Sequence, residues 1–287
     1  MILGVSSYSL YQAMNSGKMS FLEAISWVKK EGGEHFEVVP LGFDLLESPD
    51  LVQEIRQRAE QEKIVLSNYA IGANFIQDSR EAFELEVERV KKHVDIARDL
   101  GIMLMRHDVA SRPLAETGDT QFYTDLPLLV EACQNIADYA ANYGITTSVE
   151  NHGYYVQASD RVQHLVKLTN RPNFRTTLDI GNFLCVDEDP VDAVLNNLPY
   201  ASMVHIKDFY YQSSGENLGD GWFPTKENNY LRGSIVGHGD LEMREILKLI
   251  KSSGYSGYLS LEFEGIEDCE HGTRVGLKNL RRFWEEV

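Results

Sequence analysis

The segment TTSVENHGYY, residues 146–155, starts as a buried strand and ends in a glutamate, an asparagine and a histidine in succession. Side chains on a strand alternate between faces, so Thr146, Ser148 and Glu150 share one face while Thr147 and Val149 share the other. An unpaired charge at the end of a buried strand is expensive. Glu150 becomes informative if other strands end in the same way.

Three do. FRTTLDI (174–180) groups Arg175, Thr177 and Asp179; ASMVHIKD (201–208) groups Met203, His205 and Lys207; GYLSLEFE (257–264) groups Tyr258, Ser260, Glu262 and Glu264. The opposite faces are mostly apolar and suit packing against helices. Four further runs read as strands: ILGVS (2–6), HFEVV (35–39), IVLSNYA (64–70) and IMLMRHD (102–108). Amphipathic segments fall between them, at 21–30, from SPDL onward, through DSREAFELEVERVKKHVDIARDLG to Gly101, then at 124–143, 159–169, 189–197, 240–253 and 270–286. Ser48 is placed to cap the second of these, with Pro49 in its first turn, and Gly101 suits a C-terminal cap.

Eight strands alternating with helices over 1–287 predict an α/β fold, a single-domain (β/α)8 TIM barrel, with a doubly wound sheet as the alternative. The connection 209–238, after the seventh strand, is too long for a plain link and is expected to cover substrate. It is placed to serve a subunit interface equally well, so a homo-oligomer stays open.

Composition narrows the function. The formal charge of −17 repels phosphate backbones and the basic residues are dispersed, which argues against a nucleic-acid partner. No run is long and apolar enough for a membrane span or a signal peptide, so a cytoplasmic location is expected. Cys133, Cys185 and Cys269 form no CxxC pair and read as ordinary thiols.

Barrel enzymes place their chemistry at the carboxyl ends of the strands. Glu150, Asp179, His205 and Glu262 would meet there, and three carboxylates in one mouth call for a cation. Carboxylates with one imidazole suit one divalent ion, Mn²⁺ first, with Mg²⁺, Co²⁺ or Zn²⁺ open.

In that order, VENHG, TLDIGNF, HIKD and SLEFEG resemble the xylose isomerase-like TIM barrel superfamily, a group with ketose 3-epimerases, inosose dehydratase, 3-dehydroshikimate dehydratase and endonuclease IV among its members. The resemblance implies that Glu150, Asp179, His205 and Glu262 are the metal ligands. It further implies a divalent-metal-dependent isomerase or epimerase of a keto sugar or related polyol, working through a metal-stabilised enediolate with Glu150 and Glu262 as opposed acid and base. Two departures from the epimerase pattern are Asn182, where a histidine is usual, and FYYQ, where an arginine follows the ligand histidine. The alternative is a dehydratase or lyase acting on a 3-keto cyclitol or sugar, whose pattern of Glu-x-His, His-x-Lys and an arginine from strand four is met by Glu150 with His152, His205 with Lys207, and Arg106. A non-catalytic sugar-binding barrel ranks behind both.

His152 and Lys207 are therefore further catalytic candidates, the first to move a proton to a leaving group, the second to steady an enolate or act as base. Arg106, Tyr69, Trp222 and His238 are candidates for contact with a small sugar or cyclitol, the aromatic pair by stacking.

Overall fold

The computed structural model describes residues 1–213 and 218–287. Its centre is a closed parallel barrel of β1 (Ile2–Ser6), β2 (His35–Val38), β3 (Val65–Ile71), β4 (Leu104–His107), β5 (Thr146–Glu150), β6 (Phe174–Asp179), β7 (Ala201–Ile206) and, as the eighth strand, β11 (Tyr258–Leu261). Closure runs from β11 back to β1, so the doubly wound alternative is excluded. Outside lie α1 (Tyr11–Asn15), α2 (Phe21–Lys30), α3 (Pro49–Glu62), α4 (Arg80–Leu100), α5 (Asp119–Ala141), α6 (Ser159–Thr169), α7 (Pro190–Asn197), α8 (Met243–Ser252) and α9 (Cys269–Glu286).

Local chemistry sets the helix ends. Ser20 and Glu23 form a reciprocal capping box on α2, and Gly101, at φ 76°, closes α4 in the left-handed region. Ser48, expected to cap α3, makes no side-chain bond there; its extended φ of −132° places the chain for Pro49, whose fixed ring starts the helix instead. The helix expected at 124–143 starts earlier, at Asp119, and accommodates Pro127 inside it.

Strand packing is tight at the bottom of the barrel. A β-carbon added at Gly4 would stand 2.1 Å from the His35 carbonyl oxygen. Overpacking of this kind costs roughly 1–3 kcal/mol or more. Gly4→Ala is expected to lower the urea midpoint accordingly, and a midpoint equal to that of the wild type would count against this close approach.

The 209–238 connection is not irregular. It folds into a three-stranded antiparallel sheet of β8 (Phe209–Gln212), β9 (Phe223–Pro224) and β10 (Tyr230–Gly233), in the order β8-β10-β9. Asp208 accepts hydrogen bonds from the backbone N–H groups of Phe209, Gly237, Gly239 and Leu241, pinning both ends of the excursion. Asp187 holds its middle through Thr225, Glu227 and Asn229. Residues 214–217 of the segment lie outside the described residues.

Candidate active site

Glu150 closes β5, Asp179 closes β6, His205 lies on β7 and Glu262 follows β11; one donor atom from each falls within 4.8 Å of all the others, and all four residues are buried. Asn151 fixes the first two. Its amide donates to the Asp179 carbonyl at 2.8 Å and accepts from the Asp179 N–H at 2.9 Å, locking the ends of β5 and β6 together. The backbone N–H groups of Gly181 and Asn182 hold Asp179 Oδ1, which turns Oδ2 inward.

His205 is set from the far side of the barrel. Its Nε2 lies 2.9 Å from Glu37 Oε1 on β2, and its Nδ1 faces Glu262 at 3.4 Å, Glu150 at 3.6 Å and Asp179 at 4.0 Å. Among the described residues neither Nδ1 nor Asp179 Oδ2 has an aligned hydrogen bond, although Lys207 Nζ pairs with Oδ2 at 3.2 Å. Burial pushes the Asp179 carboxyl up to about 6; Lys207 pulls the other way and the nearby carboxylates of Glu150 and Glu262 add to the rise. Crowded acidic groups with two donor atoms that take no aligned hydrogen bond fit a divalent cation held by three carboxylates and one imidazole.

Charged partners surround this set. Arg106 Nε stands 2.8 Å from Glu150 Oε2, an ion pair without an aligned hydrogen bond, and its Nη2 reaches Asp108 Oδ1 at 2.7 Å. Burial alone would raise Glu150, yet Arg106 and His205 hold it well below the usual carboxylate range. Lys207 Nζ sits 3.2 Å from Asp179, 3.2 Å from Glu262 and 3.1 Å from Glu264. Burial opposes its charge, but these carboxylates outweigh it and keep the group an ammonium.

A cavity of about 410 Å³ opens above, large enough for a sugar-sized ligand. Glu150, His205, Glu262, Arg106, His152 and Lys207 all line it, together with Asp108, Glu264 and Tyr8. His152 is half exposed, with Nδ1 3.5 Å from Asp108 Oδ1.

Three of the expected contacts lie elsewhere. Tyr69 is fully buried outside the barrel wall, its hydroxyl 2.8 Å from His93 Nδ1 of α4. The cause is a break in register between β2 and β3: Phe36 pairs with Leu66 and Val38 with Tyr69, so Glu37 faces two residues, Ser67 and Asn68. Both turn inward, to His35 and Glu37, and Tyr69 is turned out. His238 is exposed in the turn pinned by Asp208, and Trp222 packs against the Arg232 guanidinium at 5.5 Å. Among the described residues, none of 209–238 lines the cavity; its outer wall is the turn after β2, with Pro40, Leu41 and Phe43. The described residues of this segment therefore do not form the expected cover.

Residues that sequence reading passed over include Glu37, Tyr8 and Asn151. Glu37 had a signal, a lone charge inside the apolar run HFEVV.

This fold and this rim define a class, and the chain belongs to it: the xylose isomerase-like TIM barrel family matches residues 25–283. Epimerases and dehydratases both occur among its relatives. The inosose dehydratase of Clostridium perfringens is 24% identical over 143 residues, which is 47% of this chain and 46% of the relative, so the chain spans about half the length of the curated protein it matches. The probable 3-DHS dehydratase AsbF of Bacillus anthracis superposes with a TM-score of 0.76 at 15% identity, over 98% of this chain and 99% of that one. The 3-keto-D-glucoside 4-epimerase of E. coli gives 0.73 at 14%, over 98% and 99%. At such identities the structural likeness carries the fold alone. No helix among the described residues is long and apolar enough to cross a membrane.

Proposed function

We propose that the chain is a divalent-metal-dependent enzyme that removes the proton beside the ketone of a keto sugar or keto cyclitol and expels the hydroxyl on the next carbon. The contact between Asp108 and His152 carries this choice. It sets a proton-transfer group on the cavity wall that is separate from the ligand carboxylates, and loss of a hydroxyl needs such an acid.

A divalent ion held by Glu150, Asp179, His205 and Glu262 would supply the positive charge that acidifies a C–H bond beside a carbonyl. Glu262 accepts that proton. Lys207, kept charged by three carboxylates, balances the developing enolate and does not serve as the base. As the C–O bond breaks, His152 gives its proton to the departing hydroxyl, which leaves as water, and an α,β-unsaturated ketone remains. Asp108 orients the imidazole, while Arg106 ties Asp108 to Glu150 and fixes the spacing between acid and ion site.

Epimerisation is the second reading, favoured by Glu150 and Glu262 both approaching His205 Nδ1, at 3.6 and 3.4 Å. One carboxylate would take the proton and the other return it to the opposite face. Incubation of Mn²⁺-loaded protein with unphosphorylated keto sugars and inososes in D₂O separates the two. An absorbing enone with release of water supports dehydration, and deuterium at carbon with retained hydroxyls supports epimerisation. Failure to exchange a carbon-bound proton in every candidate would sink both.

A further inference from the structure

Glu37 is a carboxylate buried to 0% exposure on the inner face of β2, where an aliphatic side chain would fill the barrel at lower cost. Its Oε1 accepts a hydrogen bond from Asn68 Nδ2 at 2.7 Å and lies 2.9 Å from His205 Nε2; its Oε2 has no aligned hydrogen bond among the described residues, and the Ser260 hydroxyl helps hold the carboxylate charged. Asn68 reaches Glu37 only because the register break between β2 and β3 turns it inward. Among the described residues Glu37 makes no hydrogen bond or ion pair with Glu150, Asp179 or Glu262, and its direct contact with the cluster is the one to the His205 ring.

An imidazole has one proton to place when neutral, and the nitrogen beside a carboxylate keeps it. Glu37 therefore draws the proton to Nε2 and leaves the Nδ1 lone pair pointing at Glu150, Asp179 and Glu262. A carboxylate behind a ligating histidine also raises the basicity of the ligating nitrogen, and loss of such a partner typically weakens metal binding 10–100-fold. We infer that Glu37, itself oriented by Asn68, is a positioning residue that selects the Nε2–H form of His205 and strengthens ion binding through Nδ1. The inference rests on the reading of the four-residue cluster as an ion site.

Glu37→Gln tests it, since glutamine keeps the length of the side chain and an acceptor for Asn68 while removing the charge. Mn²⁺ affinity, measured by competition with a chelator, is expected to fall about 10–100-fold. The visible absorption of the Co²⁺-loaded variant should shift, and the unfolding midpoint of the ion-free variant should stay close to wild type, which separates positioning from a role in stability. A second measurement needs no variant. In Zn²⁺-loaded wild type, long-range proton–nitrogen correlation should find the His205 ring proton on Nε2. A ring proton on Nδ1, or a variant with wild-type Mn²⁺ affinity and an unchanged Co²⁺ spectrum, overturns the inference. If the wild type itself takes up no Mn²⁺, the ion site falls and takes this role with it; if the wild type binds and the variant matches it, only the role of Glu37 falls.

Discussion

Glu150→Gln is expected to cut turnover by about 10²–10⁴-fold and to weaken ion binding by more than the 10–100-fold expected for an outer partner. Glu150 combines several tasks in one side chain. Its Oε1 lies 3.6 Å from His205 Nδ1 and accepts from Asn182 Nδ2 at 3.2 Å, while its Oε2 faces Arg106. Glutamine keeps the shape but loses the charge that offsets Arg106 and attracts a cation. Arg106 would then keep Asp108 as its ion-pair partner among the described residues, and the site would have two carboxylates in place of three. Ion content after gel filtration and the rate of carbon-bound proton exchange measure the two losses. Full retention of both would remove Glu150 from the ion site and from the chemistry, whereas a wild type that holds no ion and exchanges no proton would favour a barrel that binds a sugar without turning it over.

Alternation along single strands made the four ion-site candidates legible. Glu150 and Asp179 follow small or polar residues on an inward face, His205 follows Met203 on its own, and each stands at or near a strand's carboxyl end. Alternation fails where the strand itself is irregular. From Leu66, which faces the helices beside Phe36, strict alternation would carry Tyr69 into the barrel; the doubled step at Ser67 and Asn68 puts it outside. A bulge of this kind has no signature in IVLSNYA.

Contacts across the barrel were equally hidden. Glu37 and His205 are 168 positions apart, and their meeting depends on barrel closure, strand order and the length of two side chains. The 209–238 segment shows a related limit. Its length marked it as functional or structured, but its sheet is tied to Asp187 and Asp208, charged groups whose role in receiving backbone N–H donors cannot be read from spacing.

The choice between water loss and epimerisation comes down to His152. His152→Asn keeps a group able to bond Asp108 but has no proton to give to a leaving hydroxyl. Enone formation is expected to fall about 10²–10⁴-fold, whereas exchange of the proton beside the ketone, which the proposed mechanism assigns to Glu262 and the ion, should fall far less. Asp108→Asn should produce a smaller loss of the same kind, because the imidazole remains while its orientation weakens. Epimerisation by Glu150 and Glu262 makes no use of His152 as an acid, so that chemistry predicts near-equal, modest losses in exchange and turnover. Parallel measurement of enone absorbance and deuterium incorporation for wild type and the two variants gives the ratio that decides. A His152→Asn enzyme that still releases water at the wild-type rate would remove the Asp108–His152 pair from the mechanism and return the leading place to epimerisation.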